Sequence, residues 1–548
     1  MEYFIKTFGR TVRNCWEMPA LQDYREPVMT YGELAEEIEK IHIYFRAAGL
    51  KSGDKIAINA RSSAKWAQTF MAAVSGGYVA VELLNGYMPH DIQALVNHSD
   101  SRILFTEKSI FKDMDFDGMP GLLGAVDLRS GELLASRNGF SDVYETREAR
   151  FAQAHPDGLK PEDVNYPERS MEDLCGIMYT SGSTGFPKGV MLTVRNFSAN
   201  VDMLPSHFPY RQGDSFVSVL PYAHIFGLTF DMITPLCCGM HLVVLYVPPV
   251  PTNLKHALRE HRPKLFFSVP LVLVKMIEDS IGEFVNSRSG KAKLAAWQSN
   301  PDYCDALRTI FMSAMGGSLE VFVTGGAAIP DQVEQLLAVK LRTPFVTAYG
   351  MTECAPTISL GRPGAYKLKS VGEYVSEHIE LKINSVNPSK IVGEVLVKGD
   401  CVFPGYYKNE EATAAVFTQD GWFRTGDLGT LDKDGTLFLV GRSKSMILSS
   451  NGQNIYPEEI EVILNNMPFV SESLIVSRKE KLVAIIVPDQ NALGDAGTDA
   501  ESLVSIMDSN LESLNKIVPA YSLVSSYELH YEPFAKTPKG SIKRFLYQ

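Results

Sequence analysis

Apolar residues recur at helical spacing near the start of the chain. Leu34, Ile38, Ile41 and Phe45 predict an amphipathic helix over 30–50, with Gly49 as its stop. Short apolar strands then alternate with helical stretches through 55–59, 64–74 and 102–106, the pattern of helices packed on sheets. Residues 108–172 are polar and irregular and read as surface excursions, and 278–304 reads as a charged helical insertion. From 371 to 440 the pattern turns to short β segments with tight turns such as 432–435. A compact tail follows, with a helix over 456–465 opened by Pro457, Glu458 and Glu459, then strands at 474–476 and 482–487.

The chain has 548 residues, enough for more than one domain. With 45% hydrophobic and 21% charged residues it matches ordinary soluble proteins. A net charge of −12 argues against broad nucleic-acid binding, which needs a basic surface. Seven cysteines without metal-ligand spacing suit reduced, mostly buried thiols in the cytoplasm. The N-terminus lacks a secretory apolar core. The most apolar stretch, 216–250, is interrupted by His224, Asp231, prolines and glycines. No membrane span is expected; peripheral membrane contact stays open, because a lipid substrate would favour it.

The densest candidate chemistry lies at 179–190, YTSGSTGFPKGV. Thr180, Ser181, Gly182, Ser183, Thr184 and Gly185 supply hydroxyls and a backbone free to turn tightly, and Lys188 adds a mobile cation. The apolar runs 174–179 and 190–192 make it a strand–loop–strand unit suited to gripping phosphate. It is not a Walker loop, because Gly189 rather than Ser or Thr follows Lys188. The alternative is a plain polar loop. Four further clusters fit phosphate chemistry: VTGGAAI at 323–329, YGMTEC at 349–354, GWFRTGDLG at 421–429, and 441–461 with Arg442 and Lys444. Tyr349 can stack on a base, Thr352 can bond phosphate, Glu353 can hold Mg²⁺ and Asp427 can accept from ribose. Taken singly, each also reads as an ordinary turn, core or linker.

Together, in order and spacing, the five motifs resemble the adenylate-forming (AMP-binding) superfamily over about residues 25–548. LPYAHIFG (220–227), GGSLEVFVTGGAAI (316–329) and PGYYKNEEAT (404–413) are most similar to the fatty-acid–CoA ligases. The resemblance implies an α/β fold: a large N-terminal domain of β-sheets sandwiched with helices, a small β-barrel-like subdomain, and a small mobile α+β C-terminal domain. The division is placed at 1–440 and 441–548. It implies activation of a medium- or long-chain fatty acid by ATP and Mg²⁺, then transfer to coenzyme A.

By that likeness Thr180 to Gly185 and Lys188 hold the β- and γ-phosphates. Gly325, Gly326 and Ala327 line adenine, with Tyr349 and Gly350 against it. Thr352 and Glu353 meet phosphate and metal, and Asp427 and Arg442 hold ribose. His224 stands near the carboxylate or acyl wall, Lys444 is the hinge, and Gly452 faces the CoA channel. The lysine that the family motif carries near the C-terminus is Ser541 here, and Lys539, ahead of Lys543, is the expected substitute. Two alternatives remain: loading of a separate acyl carrier protein, and a regulator whose catalysis is lost through Ser541.

Overall fold

The computed structural model describes residues 1–180, 187–375, 377–443, 445–448, 454–478, 481–490, 493, 500–519, 522–537 and 542–547. These divide into two compact units: 1–380 with 398–421, and 381–397 with 422–548.

The first unit opens with helix Phe4–Asn14. The expected amphipathic helix is Tyr31–Ala47. Thr30 caps it by accepting from Glu33 N–H while the Glu33 carboxylate accepts from Thr30 N–H, and Gly49 beyond its end has φ +77°. The largest sheet has seven strands, in spatial order Leu133–Ser136, Gly124–Asp127, Ser101–Thr106, Lys55–Asn59, Val79–Glu82, Leu174–Thr180 and Lys188–Thr193. Its five inner strands are parallel and its two edges antiparallel. Inner strands covered on both faces need no polar alternation, so Ile56 to Ile58 and Val79 to Val81 are consecutive apolar residues and all are buried.

A second sheet runs Leu265–Ser268, Val321–Gly325 and Phe345–Gly350 in parallel, then adds Thr357–Leu360 and Glu373–Tyr374 antiparallel. A third holds Ser215–Ser218, His241–Val244, Pro19–Asp23 and Met29–Thr30. Helices Pro270–Asn286, Arg288–Ala295 and Pro301–Ala314 occupy the expected insertion, and Leu294 and Cys304 anchor it in the apolar core.

One expectation is corrected. Residues 108–172 are not merely surface excursions: they contribute two strands of the seven-stranded sheet and helices Phe140–Glu145 and Arg147–Ala154. Phe140, Tyr144 and Phe151 are buried there, spaced too widely among charged residues to show a periodic apolar face.

In the second unit, strands Ile379–Asn384, Gly393–Gly399, Phe423–Leu431 and Leu437–Arg442 form a four-stranded sheet over the stretch read as short β segments with turns. The tail carries helix Pro457–Asn465, strands Val470–Arg478, Lys481–Pro488 and Val524–Leu529, and helix Ala500–Ile517 around their own apolar core. No helix among the described residues is long and apolar enough to cross a membrane. All seven cysteines are free, and only Cys238 is not buried.

Candidate active site

Thr180 closes strand Leu174–Thr180 and lies directly across from Lys188, which opens the antiparallel return strand. The intervening Ser181, Gly182, Ser183, Thr184 and Gly185 lie outside the described residues, as do Lys444, Gly452, Lys539 and Ser541. The segment carrying Tyr406 runs antiparallel to the return strand. Gly405 carbonyl accepts from Met191 N–H at 3.1 Å, Tyr407 N–H donates to Gly189 carbonyl at 2.7 Å, and Tyr406 bridges Val190.

That placement sets three groups in sequence. The half-buried Lys188 holds its Nζ 4.9 Å from the centre of the Tyr406 ring. The Tyr406 hydroxyl donates to Glu353 Oε1 at 2.9 Å. Burial, and then the neighbouring Glu353 charge, push the phenol far above its usual titration range, so it stays a donor. Glu353 is buried, and its carbonyl accepts from Phe403 N–H at 2.8 Å.

Glu353 sits with Thr352 and Cys354 in one helical turn between strands Phe345–Gly350 and Thr357–Leu360. Thr352 is buried and Tyr349 half-buried. A Cβ on Gly350 would stand 2.1 Å from Pro356 carbonyl oxygen, so the turn requires glycine for space. Gly326 needs it for conformation, with φ +79° and nothing nearer than 4.0 Å. Gly325 is pressed on Ala348 of the next strand, while Gly326 and Ala327 are exposed.

His224, half-buried, leads into a helical stretch whose residues Gly227–Ile233 form a wide π-type turn. Asp231 in that turn is fully buried. Its Oδ2 accepts from the Ser218 hydroxyl at 3.1 Å and from Val219 and Leu220 N–H at 3.2 Å each, tying the helix to the strand that precedes His224. Burial raises its carboxyl to about 7 against those bonds. Thr229 Oγ1 donates to Ala355 carbonyl at 3.0 Å, joining this helix to the Glu353 turn. Phe226 faces Gly325, its ring edge 3.4 Å from where a Cβ would stand, and packs edge-on against Phe230 and Phe267.

The first unit therefore joins Thr180 to Lys188, Lys188 through Tyr406 to Glu353, and the Glu353 turn to the helix after His224 through Thr229 and Ala355. Asp427 and Arg442 belong to the second unit, where they face each other across strands Phe423–Leu431 and Leu437–Arg442, with Nε to Oδ1 at 3.1 Å. Asp427 is thus a strand residue with a cationic partner, not a turn aspartate. Sequence reasoning assigned no role to Tyr406, Asp231 or Phe226. Tyr406 is separated from Glu353 by 53 residues, and no local periodicity reports a contact of that separation.

Residues 8–407 match the family model described as AMP-binding enzyme, and 444–547 match that of the AMP-binding enzyme C-terminal domain. Long-chain-fatty-acid–CoA ligase 2 of Schizosaccharomyces pombe is 30% identical over 493 residues, covering 82% of this chain and 69% of the relative. Long-chain-fatty-acid–CoA ligase FadD15 of Mycobacterium bovis is 26% identical over 561 residues, covering 94% and 90%. Among solved structures, the anthranilate CoA ligase AuaEII with anthranoyl-AMP superposes with a TM-score of 0.78 at 20% identity, covering 100% of this chain and 96% of its own. The O-succinylbenzoate coenzyme A synthetase of Bacillus subtilis with AMP gives 0.75 at 22%, covering 100% and 98%. With its large domain and its C-terminal domain both matched, the chain belongs to the AMP-binding enzyme family.

Proposed function

We propose that the protein is an AMP-forming acid–CoA ligase whose acid is a medium- or long-chain fatty acid. The observation that carries this is the succession Lys188, Tyr406, Glu353 at the mouth of the loop 180–188. It sets a cation and a carboxylate about one phenol ring apart, as a metal–triphosphate substrate requires. The fatty-acid assignment is supported by relatives named long-chain-fatty-acid–CoA ligases, at 25–30% identity. It is supported also by the packed rings of Phe226, Phe230 and Phe267, with Phe226 set against Gly325.

In the reaction, a carboxylate oxygen of the acid attacks the α-phosphorus of ATP and pyrophosphate leaves. The CoA thiolate then attacks the acyl carbon, and AMP leaves with the bonding electrons of the mixed anhydride. Thr180 to Gly185 and Lys188 neutralise the β- and γ-phosphates, with Thr352 completing the phosphate contacts. Gly325, Gly326, Ala327, Tyr349 and Gly350 line adenine, Asp427 and Arg442 hold ribose, and His224 faces the acid carboxylate. Among the described residues no three His, Cys, Asp or Glu side chains converge on a metal site. Mg²⁺ is commonly held by one or two carboxylates plus substrate phosphates, and a single buried, oriented Glu353 fits that mode. The ion would neutralise phosphate charge there. Residues 441–548 swing about Lys444 between the two steps and bring Gly452 to the CoA path. Lys539 acts in place of a lysine at Ser541. Free thiols throughout suit a cytoplasmic setting.

The test is AMP formation, dependent on acid and CoA, across carboxylates from acetate to palmitate. AMP with one chain-length class supports the reading. Pyrophosphate without thioester, restored by acyl carrier protein, would instead favour carrier loading, and silence with every acid would favour a regulator, the role Ser541 suggests. Lys188→Ala should lower pyrophosphate release by about 10²–10³-fold, the usual cost of one preorganised charge-stabilising donor; full retention would remove Lys188 from the site. Phe226→Ala should shift the preferred acid to longer chains, and an unchanged chain-length profile would take Phe226 out of the acyl wall.

A further inference from the structure

We propose that Tyr406 is a positioning residue that couples the two charged ends of the phosphate site, holding Lys188 on its ring face and Glu353 through its hydroxyl. The inference rests on the reading of loop 180–188 as a triphosphate grip and adds a residue to it.

Tyr406 is fixed from several sides. Its backbone N–H donates to Thr413 Oγ1 at 2.9 Å, and its chain bridges Val190. Its ring packs edge-on against Phe403 at 4.9 Å between centres. Gly405 before it has φ +150°, and a Cβ there would stand 2.6 Å from Thr413 Cγ2, so the approach to that threonine is open only to glycine. A ring held this way presents one face and one hydroxyl, with little rotational freedom to lose when substrate binds.

Each end then gains a defined position. An ammonium near a phenol face is attracted by the negative charge of the ring. That attraction strengthens when the hydroxyl donates to a carboxylate, because the donation pushes electron density into the ring. The flexible Lys188 stem is therefore confined before nucleotide arrives. At the other end, the hydroxyl engages Glu353 Oε1, so that Oε2 is the oxygen that would meet a cation, which sets the direction from which a single-carboxylate ligand presents itself. Loss of the hydroxyl and loss of the ring should consequently have separable effects.

The experiment measures equilibrium ATP binding by calorimetry, with and without Mg²⁺, for the wild type, Tyr406→Phe and Tyr406→Leu. Steady-state KM values for ATP and for the acid are taken alongside. Tyr406→Phe keeps the ring and should raise the half-saturating Mg²⁺ concentration about tenfold, the worth of one hydrogen bond to a charged group. Its ATP affinity without Mg²⁺ should fall far less than its Mg²⁺ dependence changes, because Lys188 keeps the ring face, and its KM for the acid should stay at the wild-type value. Tyr406→Leu should weaken ATP binding in both conditions, because Lys188 is released as well. A Tyr406→Phe protein with wild-type Mg²⁺ dependence overturns the proposal. So does one that loses ATP affinity equally with and without Mg²⁺ while its thermal midpoint falls, the mark of general loosening. Wild-type ATP binding that ignores Mg²⁺ overturns it too. The expected pattern in a wild type that makes no AMP from any acid would leave the coupling standing and remove the ligase reading instead.

Discussion

Gly350→Ala should abolish most adenylation and destabilise the protein by about 2–3 kcal/mol, at the upper end of the usual overpacking range. The added carbon would stand 2.1 Å from Pro356 carbonyl oxygen and 2.8 Å from its carbonyl carbon, both backbone atoms that cannot rotate away. That carbonyl also accepts from Met351 N–H at 2.9 Å, the bond that closes the turn holding Thr352 and Glu353. Relief of the clash must therefore open the turn or shift strand Thr357–Leu360. Because Gly350 lies outside the left-handed region, the effect is one of space rather than conformation. Pyrophosphate release should fall by at least about 10²-fold, since small displacements of positioned groups carry costs of that size. Thermal midpoint and pyrophosphate release are measured together; wild-type values of both would mean the turn is not as tightly closed as it stands here.

Glu82→Gln should stabilise the protein, most at alkaline pH. Glu82 is buried at 1% exposure in strand Val79–Glu82, and among the described residues no other residue donates a hydrogen bond to either carboxyl oxygen. Burial raises its carboxyl from the ordinary 4.5 to about 8, opposed only by its own backbone N–H. The folded chain therefore keeps this proton at pH values where the unfolded chain has released it. Stability falls as pH rises from about 4.5 to about 8 and is flat above. Glutamine mimics the protonated form without that linkage, and the difference at pH 7 comes to roughly 3 kcal/mol at 1.36 kcal/mol per pH unit. The raised Asp231 carboxyl is present in both proteins and cancels in the comparison. The measurement is the thermal midpoint of both proteins from pH 4.5 to 8.5. Curves that diverge with rising pH support a buried neutral Glu82, and parallel curves would show the carboxyl to be solvated.

The outcomes at particular residues show where reading along the chain succeeds. Leu34, Ile38, Ile41, Phe45 and Gly49 announced one helix and its C-terminal stop, because apolar faces and stop signals act within a few residues, whereas the Thr30 cap emerged only from the structure. The strands flanking loop 180–188 were equally plain, and Thr180 and Lys188 are indeed paired across them. Region 108–172 was misread because its strands Gly124–Asp127 and Leu133–Ser136 are only four residues each. So short a strand is stabilised by neighbours in the sheet rather than by its own pattern.

The candidate site divides in the same way. Motif composition pointed to the phosphate-loop residues, the Gly325–Gly326 turn and the carboxylates Glu353 and Asp427, because backbone freedom and charge are properties of residue type, while the resemblance added Gly350. Order alone also pointed to the family, which the comparisons bear out. Tertiary structure decided which side chains touch: Tyr406 between Lys188 and Glu353, Asp231 on the amides before His224, Phe226 against Gly325, Arg442 on Asp427. It also decided that Glu82 lies buried with no hydrogen bond from another described residue, and therefore which way its carboxyl shifts. These outcomes depend on distances between residues far apart in the chain. Dispersion, hydrogen bonding and desolvation fall off over a few ångströms, so they take values only once the fold has set those distances.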